Sequence, residues 1–161
     1  MLEASRKPAA RPVLKTALSA RVLRHDEAMA LSTLFFADGE LRVPLIDYPI
    51  GSGAIVSIDA SDVSVALSRP MDVSITNRLP GEIVEIAFLK PPYVRATFNL
   101  GETHLHALIT RESVERLALA CGLRAWVMIK AVAISGRELR PHCAPQPRPW
   151  PLNQNSNQVK R

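Results

Sequence analysis

Residues 124–135 read RAWVMIKAVAIS. Apolar residues alternate along this run in the period-two pattern of a β-strand, which predicts a strand over 124–134. Trp126, Met128, Val132 and Ile134 share one face of that strand, and Lys130 sits among them. An ammonium in an apolar strand carries a desolvation cost unless an anion or acceptor meets it. The plainer alternative is a stem that packs while the charged head reaches water.

The same pattern recurs upstream. IDASDV (58–63) aligns with IKAVAI (129–134) at an offset of 71, and GELRVPLI (39–46) aligns with ETHLHALI (102–109) at 63. The difference of eight is about the length of SVERLALA (113–120), a segment present only in the second half. Two similar halves, each built of short alternating runs, predict two small β-barrel units.

Working outward, the first half offers strands at 18–24, 30–36, 40–46, 54–59 and 63–67, separated by Asp38-Gly39 and Gly51-Ser52-Gly53. Pro44 marks the third of these as an edge or bulged strand. Residues 68–80 form a connector with two prolines. The second half offers strands at 81–88, 93–99, 104–109 and 124–134. Between the last two lies one short helix. Thr110 is placed to N-cap RESVERLAL, Val114, Leu117 and Ala118 share a face, and Gly122 is a natural stop.

The ends differ in composition. Residues 1–17 read as a flexible basic lead-in. Residues 136–161 hold five prolines between 141 and 151 and then an Asn/Gln-rich run, which predicts a disordered Pro-rich basic tail. The expected organisation is therefore 1–17 lead-in, 18–73 first unit, 74–135 second unit and 136–161 tail.

The net charge of +5 suggests nucleic acid only until it is placed along the chain. Residues 1–24 carry six basic and one acidic side chain, and residues 136–161 carry five and one. The body, 25–135, carries nine basic and thirteen acidic, so it is mildly acidic. A nucleic-acid module needs its positive charge on a folded face, so no specific nucleic-acid partner is expected. Cys121 and Cys143 belong to no CxxC pair, and the chain reads as cytoplasmic. No apolar run approaches the roughly 20 residues of a membrane span, and the first residues show no secretory pattern.

Enzyme motifs are absent from the sequence. There is no GxxxxGK[ST], GxSxG or HExxH, and seven scattered glycines make no dinucleotide fingerprint. The expectation is a non-enzyme. His104 and His106 share a strand face, but the plainer reading is a polar outer face around a core-facing Leu105, so no metal site is expected. Cys121, next to Gly122, reads as a small buried residue rather than a nucleophile. What remains is chemistry for an anion. Thr110 and Ser113 place two hydroxyls beside the first helical N–H groups, and Lys130 supplies charge. Donors without a carboxylate suit a tetrahedral oxyanion that only accepts.

SITNRLPGEIVEI (74–86), ALITRESVERLAL (107–119) and CGLRAWVMIKAVAIS (121–135) together resemble the molybdate-binding Mop domain. That family opens on S-x-x-N-x-L-x-G-x-V, continues with I-T-x-x-S-V-x-x-L-x-L-x-x-G, and closes on an I-K-[AS] strand. The preceding stretch, and IDASDVSVALSRP (58–70) above all, is similar to the segment before Mop in the ATP-binding subunit of molybdate ABC importers. The likeness covers about 18–135 and implies the C-terminal regulatory region (Mop/TOBE-type) of such a subunit, without its ATPase domain.

The resemblance implies a mainly β chain of two small OB-like β-barrel units, with one short helix in the second. It also implies a homodimer that binds molybdate or tungstate at its interface. Ser74 and Asn77 would contribute from the opening segment, Thr110 and Ser113 from the helix start, and Lys130 the charge. Partners would be an importer ATPase domain or permease on other chains, with the chain peripheral to the inner membrane through the transporter and no direct insertion. Two positions depart from the family pattern: Thr76 stands where a basic residue is common, and Ala131 where serine is common. One charge-assisted bond fewer costs about 1–3 kcal/mol. Asp59 aligns with Lys130 and would repel an oxyanion, so no equivalent site is expected in the first half. The alternatives are a free-standing cytosolic molybdate-binding or storage protein, which a complete chain opening at Met1 would favour, or a dimerisation module that has lost its anion site.

Overall fold

The structure, a computed structural model, describes Lys7 and residues 9–142. It is mainly β. Among the described residues, ten strands form two five-stranded antiparallel sheets, with one short α-helix, Arg111–Arg116 (α1). In chain order the strands are β1 (Lys15–Asp26), β2 (Leu31–Phe36), β3 (Gly39–Pro44), β4 (Gly53–Asp59), β5 (Val63–Ala66), β6 (Asn77–Phe88), β7 (Tyr93–Asn99), β8 (His104–Thr110), β9 (Arg124–Ile129) and β10 (Leu139–Pro141). The first sheet runs β10-β4-β1-β2-β3 and the second β5-β9-β6-β7-β8.

The two sheets repeat each other strand for strand. β1 corresponds to β6, β2 to β7, β3 to β8, β4 to β9 and β10 to β5. Both long strands carry an irregularity at the same place, between Val22 and Arg24 in β1 and between Ile83 and Glu85 in β6. A bulge bends a strand and increases its twist, which lets one strand serve both halves of a curled sheet. The offset of 71 holds over β4 and β9: Arg21 pairs Gly53 as Glu82 pairs Arg124. Over β3 and β8 the offset is 64 rather than 63, since Leu34 pairs Leu41 as Phe98 pairs Leu105. A one-residue slip would exchange the faces of β8. The true register matches the fully buried Leu41 to the fully buried Leu105.

The strand pairing cuts across the expected segments. The contiguous segments 18–73 and 74–135 are not the two hydrogen-bonded ladders. β5, from the first half, pairs with β9 in the second sheet, and β10 pairs with β4 in the first. The halves thus exchange one edge strand each. The tail was expected to lack packed structure, yet Leu139–Pro141 forms β10 with Leu139 buried. At the other end, the strand begins within the expected lead-in, at Lys15. Cys143 and Trp150 lie outside the described residues.

One apolar cluster runs through both units. It includes Leu18, Val22, Leu34, Leu41 and Val56 from the first sheet and Ile83, Phe98, Leu105, Val127 and Ile129 from the second. Alternation explains most of it: in β9, Ala125, Val127 and Ile129 point inward, while Trp126 and Met128 are half-buried on the other face. Pro44 closes β3, an edge strand, where a missing N–H costs no ladder bond. Pro80 lies inside the central β6, at a point where β7 has not yet joined it.

The units are tied at two polar points. The Asn77 side chain lies 3% exposed and grips the backbone of β3: Arg42 N–H donates to Oδ1 at 2.7 Å, and Nδ2 donates to the Arg42 carbonyl at 2.9 Å. The Asp38 carboxylate, in the β2–β3 turn, accepts from Glu102 N–H at 2.9 Å and Thr103 N–H at 2.7 Å in the β7–β8 turn. Gly101 lies at φ +138, and a Cβ there would stand 2.3 Å from Asp38 Oδ1. Only glycine satisfies both that backbone and that approach.

Candidate functional site

The strand that carries Lys130 ends sooner than expected. β9 stops at Ile129, and Ala131–Ala133 form a 3₁₀ turn with Lys130 at its N-cap. Lys130 is therefore not buried in an apolar strand. It is exposed at the strand's end and makes no ion pair among the described residues. Val132, in the turn, is 77% exposed, and Ile134 is buried after the chain has left the sheet.

The equivalent place in the first unit shows what Lys130 replaces. There β4 ends at Asp59, and Ala60–Asp62 form the matching 3₁₀ turn. Asp59 caps that turn by accepting from Ser61 N–H and Ser61 Oγ, each at 2.9 Å. An acidic side chain at such a cap meets the free N–H groups of the turn. Lys130 makes no side-chain cap bond, so its ammonium stays available.

Asn77 is directly opposite Ile129 in the β6–β9 ladder, so it stands beside Lys130 at the same end of the sheet. Its amide is largely spent on Arg42, leaving one N–H hydrogen. Ser74 is exposed in the connector just before β6. Asn77 and Lys130 thus stand at the start of β6, and Ser74 precedes that strand by three residues in the chain.

Thr110 and Ser113 stand elsewhere in the ladder. Thr110 ends β8 opposite Tyr93, and β7 begins there against Phe88, the last residue of β6. The register places this pair at the far end of β6 from Asn77. Locally the expected cap forms: Ser113 N–H donates to Thr110 Oγ1 at 3.1 Å, and the two hydroxyl oxygens lie 3.0 Å apart. Arg111 lies over the Phe88 ring, 5.4 Å from its centre, beside this pair. Of the helical face, Val114 is buried and Leu117 half-buried, while Ala118 adopts φ +50 and is exposed after the helix has ended.

The remaining sequence candidates resolve simply. Leu105 is fully buried between His104, which is exposed, and His106, whose Nδ1 lies 3.0 Å from Thr97 Oγ1. Burial pushes the His106 pKa down, as does the nearby Arg95 guanidinium, with Glu85 opposing them. No group of three or more metal-ligating side chains occurs among the described residues. Cys121 was expected to be buried and is exposed, because it lies in the turn that leads back to β9 rather than on the helix. A separate cleft of about 310 Å³ opens between the units, lined in part by Thr16, Ser19, Phe36, Glu102, Thr103 and His104. It includes none of the five oxyanion candidates. Among the described residues no helix is long and apolar enough to cross a membrane.

Sequence reasoning passed over Arg42 and Asp38. Each meets its partner across the seam between units, 35 and 64 residues away in sequence, and no local pattern signals such a contact.

Comparison with known proteins agrees with this architecture. The TOBE domain family matches residues 73–135. The molybdenum import ATP-binding protein ModC of Mesorhizobium japonicum is 36% identical over 116 residues, covering 72% of this chain and 31% of its own length. ModC of Bordetella parapertussis is 39% identical over 112 residues, covering 68% and 30%. The chain thus spans about a third of the length of these relatives. In structure, it superposes on the cytoplasmic molybdate-binding protein ModG, solved with molybdate bound, with a TM-score of 0.68 and 19% identity. That match covers 77% of this chain and 94% of the other, and it is a likeness of fold.

Proposed function

We propose, from the match of residues 73–135 to the TOBE domain and the likeness to the molybdenum import ATP-binding subunits, that this chain binds molybdate or a similar tetrahedral oxyanion and serves as the C-terminal regulatory region of such a subunit. The observation that carries this reading is Lys130: a free, exposed ammonium at a strand end where the sister unit has a capping carboxylate. An oxyanion needs donors and positive charge, and the end of β9 offers Lys130, the hydroxyl of Ser74 and the remaining N–H of Asn77.

The second pair of hydroxyls, Thr110 and Ser113, stands at the other end of β6 in the ladder. A site using all five residues therefore draws the Lys130 group from one copy and the Thr110 group from another. This favours a homodimer with the anion at its interface, where burial between subunits strengthens each charged hydrogen bond. The importer's ATPase domain and permease would be the partners through which occupancy is read.

The test is calorimetric titration of molybdate into the wild-type protein, with sulfate as competitor, alongside a measurement of solution mass. Saturable binding that sulfate does not displace, by a dimer, is the expected result. Lys130→Ala should weaken binding at least tenfold. No heat with either anion would overturn the reading, and a monomer at micromolar concentration would remove the shared site.

A further inference from the structure

We propose that Arg42, from the first unit, is a further anion ligand of the Lys130 site, and that Asn77 acts chiefly by holding Arg42 in place. The proposal rests on the molybdate reading above and extends it across the seam between the two units.

Three observations meet at this point. The Asn77 amide pairs with both the N–H and the carbonyl of Arg42, so the residue beside Lys130 in the sheet fixes the backbone of β3 at that position. β3 also packs against the 3₁₀ turn that Lys130 opens. The third concerns the guanidinium itself. Arg42 Nε is sealed from solvent and has no hydrogen-bond partner. The side chain as a whole is 38% exposed, and its ion pair among the described residues, to Asp26 Oδ2 through the terminal nitrogen, is 3.8 Å long. Nε, like the equally unpartnered Nε of Arg95, is closed to an outside anion, so the terminal nitrogens of this partly exposed side chain are the donors an anion would meet.

The chemistry fits a tetrahedral dianion. A guanidinium presents a planar fork of donors that meets two oxygens at once, whereas an ammonium acts as a point charge. The chain has Thr76 rather than a basic residue two positions after Ser74. Arg42 supplies a positive charge at the same end of the sheet from the other unit. Occupancy of the site then acts on β3 as well as on β9, and so on both units at once. Asp26 competes for the guanidinium, which makes the anion's gain depend on displacing a long ion pair rather than a short one.

Molybdate titrations of wild type, Arg42→Gln, Arg42→Lys and Arg24→Gln decide it, with a thermal melt of each protein free of anion. Arg24 neighbours Arg42 across β2 and pairs with Glu40 at 3.7 Å, so it controls for surface charge alone. Because Asn77 grips only the backbone of Arg42, these variants keep the clamp. The expected result is a loss of affinity of tenfold or more for Arg42→Gln, a smaller loss for Arg42→Lys, no change for Arg24→Gln, and melts within a degree or two of wild type. Wild type that binds and Arg42→Gln that binds equally well would overturn the role of Arg42 and leave the molybdate reading standing. Equal losses for Arg24→Gln and Arg42→Gln would reduce the effect to net charge and also overturn it. Wild type that fails to bind would overturn both.

Discussion

Gly101 is held by two independent constraints. Its φ of +138 is disfavoured for any L side chain, and a Cβ would meet the Asp38 carboxylate. That carboxylate cannot withdraw freely, because it accepts from the backbone of Glu102 and Thr103. Gly101→Ala should therefore destabilise the protein by about 2–4 kcal/mol, combining backbone strain with a broken tie, as read by urea denaturation. Asp38 also makes stability depend on pH. Partial burial pushes its pKa up, but the hydrogen bonds from Glu102 and Thr103 outweigh this and hold it below the ordinary value. A carboxyl whose folded pKa is depressed contributes stability above its unfolded pKa, roughly 4, and loses that contribution as pH falls through the folded value. Wild type should thus lose stability on acidification below about pH 4, and Asp38→Asn should lose less over that range. Equal acid sensitivity in both proteins would show that Asp38 contributes nothing to it.

At the scale of elements, the strands were legible because their alternation is clean. β7 begins and ends where the pattern places it, and β8 differs from its expected span by one residue. The N-cap of α1 was legible too, because Thr110 carries the local chemistry that stops a strand and starts a helix. Replacing Thr110 with alanine should cost about 1 kcal/mol of stability through the lost cap, measured by thermal melting without anion. The end of β9 was not legible. VAI after Lys130 continues the alternation, and nothing local distinguishes a strand from a 3₁₀ turn that leads the chain out of the sheet. The matching turn after β4 contains Asp59 and Ser61, which advertise a cap, and its alignment at 71 carried the missing information. The candidate site divides in the same way. The residue types of Ser74, Asn77, Thr110, Ser113 and Lys130 could be read from the chain. Which of them stand together could not, because that depends on ladder register and on a seam closed by contacts 35 or more residues apart.

For the molecule as a whole, the exchange of β5 and β10 has a thermodynamic consequence. Each sheet owes an edge strand to the other half of the chain, and one apolar cluster passes through both. Neither unit buries its own surface alone, so the described chain should unfold as one cooperative system rather than as two domains. Trp126 lies in the second sheet, and Leu139, buried at 5% exposure, completes the first. Leu139→Ala should cost about 2–3 kcal/mol, the lower part of the range for a buried leucine, because β10 is a short edge strand. The decisive readout is the fluorescence of Trp126 in a Trp150→Phe background during urea unfolding. If the units are coupled by strand exchange, the mutation in the first sheet moves the Trp126 transition to lower urea by the same free energy as the far-ultraviolet circular dichroism signal. Two separate transitions, with Trp126 unmoved, would mean that the second sheet is stable without the strand it gives away. The same coupling gives an anion at the Lys130 end a route to the rest of the fold. Molybdate that stabilises the second sheet should raise the midpoint of both probes together, by an amount set by ligand concentration over its dissociation constant.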